Sequence, residues 1–314
     1  MAGSELYAGA LAGVEPVGAA HQRSLRAPDG RDRTYRLYVP ASLPPGPRPE
    51  PVPLLVALHG GYGSGARFEV ASGFSELAEA NGFLVAYPDG IGIGPRAARM
   101  RTWNGGRCCG PAVREGVDDV GFVAALIDEV ATELPVDPAR TFAAGHSNGG
   151  ILAYRLACEL SDRIAGIGVQ AGSIGIDGCR PEHAVSVIDV HGSADLHHPI
   201  DGGRGPASRV AAPYGSVREA CALFAGLDGC GPPGTRVDAL NSDLMVTRWA
   251  NPGAGGAEVC LVEVTGASHT WMGRPTARPG GDRVGGPPYL GFDTGRAIWA
   301  FLADHPRLPH PRPK

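Results

Sequence analysis

Apolar and polar positions alternate along residues 21–40, where Tyr35, Leu37 and Val39 are interleaved with Arg36 and Tyr38. Pro28-Asp29-Gly30 supplies a turn, so the stretch predicts a hairpin. The pattern then changes. Val52–Leu58 is a continuous apolar run, as in a strand covered on both faces, and Phe83–Tyr87 repeats it. Residues 72–81 read as a helix closed by Gly82, and a long loop follows from Ile91 to about Val117. Asp118 or Asp119 caps a helix whose Val123, Leu126, Ile127, Val130 and Leu134 share one face. Thr141–Ala144 is a short buried strand. Beyond it Leu152, Leu156 and Leu160 recur at four-residue spacing, the period of an amphipathic helix.

Two more strands follow, at 167–170 and 185–190. The section 196–257 is loop-rich, with one helix whose Ser216 and Glu219 fit a capping box and a hairpin arm around Leu244–Trp249. A strand at Val259–Val264 and a helix at Arg296–Ala303 complete the pattern. Strands alternating with helices predict an α/β fold, a mostly parallel twisted sheet with helices on both faces. No composition break divides it: the expectation is one domain over 21–305, a mobile N-terminal tail at 1–20 and a proline-rich tail at 306–314.

Composition narrows the function classes. A net charge of −4 with 19% charged residues announces no surface for nucleic acid or anionic membrane, and no apolar run reaches the length of a membrane span. The N-terminus lacks the basic start and unbroken apolar core of a signal peptide, which points to a cytoplasmic protein or a trimmed mature form. Seven cysteines are many for the cytosol, and an odd number leaves at least one thiol unpaired within a monomer. Adjacent Cys108 and Cys109 are expected to face different partners, because a bridge between neighbours strains the peptide. None of the seven shows zinc-ligand spacing, so no metal is expected.

The candidate chemistry sits between the Thr141 strand and the Leu152 helix. Gly145-His146-Ser147-Asn148-Gly149 fits G-x-S-x-G, a sharp turn that presents a serine at a helix N-terminus. With 48 glycines in the chain the pattern alone is weak; the flanking strand and helix give it meaning. A serine nucleophile needs a base, and the base an orienting acid. His269, just past the last strand, is the candidate base; His305 and His310 lie in the tail. Asp195 follows an apolar strand and is the candidate acid. Asp189 falls inside that strand, where a carboxylate would need a buried partner, and Asp201 is a weaker option. Backbone N–H groups of Asn148 and of Gly61 in His59-Gly60-Gly61, with Tyr62 next in line, are the candidate oxyanion hole. Tyr62, Trp103 and Trp271 are candidates either to line a substrate slot or to plug the loops they sit on. Arg96, Arg99, Arg101 and Arg107 cluster in one loop and read as a solvated face, with a preference for an anionic substrate as the alternative.

These stretches resemble a known family. His59-Gly60-Gly61, Trp103–Gly110 (WNGGRCCG), Val117–Phe122 (VDDVGF), Gly145–Gly150, His191–Asp195 (HGSAD) and Ser268–Trp271 occur in the order found in the polyhydroxybutyrate depolymerase and feruloyl esterase-like family of α/β-hydrolases. The likeness runs from about residue 30 to 303. It implies a serine esterase acting, without metal or organic cofactor, on short-chain or hydroxyacid polyesters or on feruloyl and acetyl esters, with Ser147, Asp195 and His269 as the triad. It also implies a disulfide from Cys230 to a position where this chain has Gly253-Ala254-Gly255-Gly256, so that the bridge is absent or rerouted to Cys260. An acyltransferase using the same acyl-enzyme, and a non-catalytic binding module on the same fold, are the alternatives.

Overall fold

The computed structural model describes residues 18, 20–43, 50–92, 100–208, 210, 213–238, 241–253, 256–275 and 285–307. Most of the 1–20 tail, residues 308–314, and Arg96 and Arg99 lie outside the described residues.

Among the described residues ten strands form one sheet: β1 (Ala20–Arg26), β2 (Asp32–Tyr38), β3 (Val52–Leu58), β4 (Leu84–Pro88), β5 (Val136–His146), β6 (Gly166–Gln170), β7 (Ser186–Gly192), β8 (Gly234–Val237), β9 (Leu244–Ala250) and β10 (Glu258–Val264). Their order is β1-β2-β4-β3-β5-β6-β7-β10-β9-β8. The six central strands, β4 to β10 in that order, run parallel, and an antiparallel pair closes each edge. This is the mostly parallel α/β-hydrolase sheet. The apolar runs explain it: β3, β4 and β6 are buried along nearly every residue, as strands covered on both faces must be.

Helices cover both faces. On one side lie α4 (Asp119–Glu133), α5 (Asn148–Glu159) and α6 (Val217–Leu227); on the other lie α1 (Gly65–Ser72), α2 (Phe74–Asn81) and α7 (Thr294–Ala303). The predicted stripe of α4 faces the core. Phe122, Val123, Leu126 and Val130 are fully buried there, each contributing about 1.5–3 kcal/mol of apolar burial. Asp118 is the cap: its side chain accepts from Gly121 N–H. Asp119 does something else. It is buried in an ion pair with Arg33 at 2.7 Å and accepts the N–H of Asn104 at 2.7 Å, so it anchors the loop that follows β4. Ser216 Oγ caps α6 by accepting from Glu219 N–H.

Three details differ from the sequence expectation. The helix expected at 72–81 is α2, closed by Gly82; Gly73, at φ 72°, separates it from a preceding helix the sequence pattern does not show, α1, whose first turn Ser64 Oγ caps by accepting from Arg67 N–H. The long loop contains a further short helix, α3 (Gly110–Arg114). Cys108 and Cys109 are bridged to each other rather than to different partners. Cys158 pairs with Cys179 at a Cα separation of 5.1 Å, tying the end of α5 to the segment after β6. Cys230 and Cys260, like Cys221, are free thiols.

Candidate active site

A parallel sheet gathers the C-terminal ends of its strands at one rim, and the loops leaving β3, β5, β6, β7 and β10 meet there. β5 ends in the G-x-S-x-G turn. Ser147 takes φ 53° and ψ −119°, a left-handed backbone that a non-glycine residue holds only under constraint. Its N–H donates to Gln170 O at 2.8 Å and its carbonyl accepts from Ile151 N–H at 2.9 Å, which fixes the turn from both sides. Gly149 is obligatory: a Cβ there would overlap the carbonyl of Leu58 on β3.

Ser147 Oγ lies 2.8 Å from His269 Nε2, and His269 Nδ1 lies 2.7 Å from Asp195 Oδ2. The other carboxylate oxygen of Asp195 accepts the N–H groups of His197 (2.8 Å) and His198 (2.9 Å). Burial alone would raise the Asp195 carboxyl. The hydrogen bond and charge of His269, the charge of His191 and the His198 N–H outweigh it and hold Asp195 well below the usual carboxylate range. An ionised carboxylate can only accept, so the His269 proton sits on Nδ1 and the Nε2 lone pair faces the serine hydroxyl. The structure thus brings together the serine, histidine and acid named from sequence, 122 and 74 residues from His269 in the chain.

The rival acid, Asp189, is fully buried within β7. Its partner is the Tyr154 hydroxyl, which donates at 2.9 Å, while His191 Nδ1 stands 3.8 Å away, beyond hydrogen-bond reach. Burial pushes Asp189 up to about 6 against the pull of those neighbours. Asp201 pairs with Arg218, away from His269. His191 Nε2–H donates to His198 O at 2.7 Å and passes 3.6 Å from Asp195 Oδ2, so the β7 strand end and the Asp195 turn are stitched together from beneath.

The β3 loop lies over the start of α5: a Cβ built on Gly61 would stand 3.8 Å from Asn148 Cβ. Asn148 begins that helix, so its N–H belongs to the first turn, which has no intrahelical acceptor. Tyr62 N–H, by contrast, donates to Arg101 O at 2.7 Å. The Asn148 side chain grips Trp103 twice, accepting from its N–H at 2.7 Å and donating to its carbonyl at 3.0 Å. Trp103 is fully buried and its ring N–H donates to His59 O; Trp271, 6% exposed, packs edge-on against Phe68, Phe74 and His146. Both tryptophans hold loops down, whereas Tyr62 is 38% exposed. Arg101 approaches Asp89 at 3.5 Å and Arg107 pairs with Asp177.

His59 is held as a neutral ring. Its Nε2 accepts from Gly90 N–H at 3.0 Å and its Nδ1–H donates to Gly60 O at 2.8 Å, with burial pushing it down to about 4. His198, whose N–H binds Asp195, joins Ile151, Ile174, Tyr214 and Cys108 in walling a narrow cleft of about 10 Å³. His198 and Tyr214 stack at 4.3 Å. Tyr214 was not singled out from sequence, since it sits in a loop without periodicity.

A family model for esterase PHB depolymerase matches residues 34–202. NocK of Nocardia uniformis subsp. tsuyamanensis, a protein named as an esterase, is 33% identical over 259 residues, covering 78% of this chain and 72% of its own length. Feruloyl esterase B of Piromyces equi is 29% identical over 228 residues, 69% of this chain but 39% of the relative. Among solved structures, the acetyl xylan esterase from Aspergillus awamori shares the fold with a TM-score of 0.56 at 18% identity, covering 80% of this chain and 94% of that one.

Proposed function

The chain belongs to the esterase PHB depolymerase family, and from that premise we propose that it is a serine carboxylic ester hydrolase working through an acyl-enzyme on Ser147. His269 takes the serine proton as Oγ attacks the ester carbonyl. Asp195 holds the imidazole in the tautomer that leaves Nε2 free and stabilises the imidazolium. The N–H groups of Gly61 and Asn148 receive the tetrahedral oxyanion. His269 then returns the proton to the leaving alcohol and, in the second half, activates the water that releases the acid. The observation that carries this reading is the unbroken chain Asp195–His269–Ser147, with both links at hydrogen-bond length.

The acid is proposed to be short. The cleft at Ile151, His198 and Tyr214 holds about 10 Å³, room for about one water, so it offers no slot for a long acyl chain, and its stacked His198–Tyr214 wall suits a flat acyl group if the loop carrying Tyr214 moves. The names of the relatives, feruloyl and acetyl xylan esterase, fall in that range. The test is kcat/KM on p-nitrophenyl acetate, butyrate and octanoate, methyl ferulate and hydroxybutyrate oligomers, with methanol added to read partition of the acyl group. The reading expects acetate and butyrate well ahead of octanoate, and water as the main acceptor. A preference for octanoate would refute the short-acid reading, and dominant methanolysis would make the protein an acyltransferase.

A further inference from the structure

The base and the nucleophile stand on strands that are not neighbours. In the sheet β6 and β7 lie between β5, which presents Ser147, and β10, which leads to His269. At about 4.8 Å per strand the segment after β10 must cross roughly 14 Å of sheet rim to bring its imidazole to the serine. β10 ends at Val264, and the residues carrying His269 pair with no strand. Something on β5 and β6 must hold that segment.

The last register pair of β5 and β6 is His146 with Gln170. Both side chains reach up to the His269 segment. His146 Nε2–H donates to His269 O at 2.7 Å. Gln170 Nε2 donates to Thr270 O at 3.0 Å, and its Oε1 accepts from Met272 N–H at 3.0 Å and from Thr294 Oγ1 at 2.8 Å. Three links therefore run to residues 269, 270 and 272. Gln170 is fully buried, and its own carbonyl is the acceptor for Ser147 N–H at 2.8 Å. One residue holds the nucleophile by its main chain and the base segment by its side chain.

We propose that Gln170, assisted by His146, is the positioning residue that sets the Ser147–His269 distance across the two intervening strands. The inference rests on reading Ser147 and His269 as nucleophile and base. It explains why a polar amide occupies a fully buried strand end, where an aliphatic residue would otherwise be favoured: each polar atom of Gln170 is matched, so its burial carries no unsatisfied group.

The test compares Gln170→Met, which keeps the volume and loses all three side-chain bonds, with Thr294→Val, which removes only the Thr294 hydroxyl. Thermal unfolding is measured with steady-state kinetics on p-nitrophenyl acetate and the rate of Ser147 labelling by a fluorophosphonate. Gln170→Met is expected to lower kcat by about 100-fold with KM within about threefold, and to slow labelling in proportion, as a displacement near 1 Å does. Thr294→Val should keep kcat within about threefold even where it lowers Tm. If Gln170→Met does not fold, His146→Phe, which keeps a ring and loses the donor, is expected to lose about tenfold in kcat. Wild-type kcat in a folded Gln170→Met, or in His146→Phe should that variant stand in, overturns the inference while leaving the esterase reading intact. A wild-type protein that is neither labelled nor hydrolytic, or a Ser147→Ala variant that stays active, overturns the esterase reading and this one with it.

Discussion

Replacing Asp195 by asparagine alters one atom, and the structure dictates how the amide will sit. Oδ1 of Asp195 accepts two N–H groups, from His197 at 2.8 Å and His198 at 2.9 Å, while Oδ2 faces His269 Nδ1 at 2.7 Å. The amide oxygen will stay with the two N–H donors. Flipping it would set an NH2 group against both, a loss of about 2–4 kcal/mol for two buried hydrogen bonds, so the flipped form is populated below about one part in thirty. The NH2 group then points at His269 Nδ1, which must accept rather than donate. The ring proton moves to Nε2, the atom 2.8 Å from Ser147 Oγ, and the imidazole can no longer take the serine proton. Asp195→Asn is therefore expected to lose about 10³–10⁴-fold in kcat with KM changed only a few-fold. The fluorophosphonate labelling rate should fall in the same proportion. Stability adds a second reading with a definite sign. A carboxyl held low by His269 stabilises the fold above its unfolded value, and that contribution fades as pH falls through the folded one. The Tm gap between wild type and variant should accordingly narrow toward low pH. A variant that keeps more than about a tenth of wild-type kcat would refute the tautomer argument and with it the role given to Asp195.

Two further substitutions probe the surroundings. Asp228 is buried, its carboxylate accepts among the described residues only the Val185 N–H at 3.3 Å, and burial pushes it up to about 7. A carboxyl raised in the fold binds its proton more tightly there, so wild-type stability is lost as pH climbs from about 4 through about 7. Asp228→Asn should match wild type near pH 4 and exceed it by on the order of 3 kcal/mol at pH 8 in urea unfolding; equal stabilities at pH 8 would count against the buried, uncompensated carboxylate. A Cβ at Gly60 would stand 2.9 Å from His146 Nδ1 and 3.6 Å from Ser147 Cβ, and His146 is tethered to His269 O and cannot yield freely. Gly60→Ala should therefore cost about 1–3 kcal/mol of stability and about 10–100-fold in kcat, measured by thermal unfolding and p-nitrophenyl acetate turnover; unchanged turnover would mean the loop yields more readily than its packing implies.

What could be read from the sequence follows from which physical signals are local. Buried parallel strands announce themselves as runs such as Leu54–Leu58 and Leu84–Tyr87, and the α4 stripe of Phe122, Leu126 and Val130 is a periodic signal. The meeting of Ser147, Asp195 and His269 at one rim was legible too, because each follows a strand in an order a parallel sheet can gather. Desolvation logic also separated Asp195 from Asp189, though it did not supply the partner that makes Asp189 tolerable in β7, the Tyr154 hydroxyl 35 residues earlier. Helix α1 was missed because Gly63 and Gly65 disguise its start, and the Cys108–Cys109 bridge because a separation of one residue argues against pairing. Least legible was the layer under the site. Gln170, His191 and Tyr154 look like ordinary strand and helix residues, and only three-dimensional neighbours give their polar atoms a purpose.

Acylation of Ser147 with His269 as its base is read most directly by intact-mass spectrometry after exposure to a fluorophosphonate. One adduct per chain is predicted, mapped to the peptide containing Ser147, absent from Ser147→Ala and slowed by several orders of magnitude in His269→Gln. An adduct on another residue, or none on a protein that still hydrolyses p-nitrophenyl acetate, would contradict it.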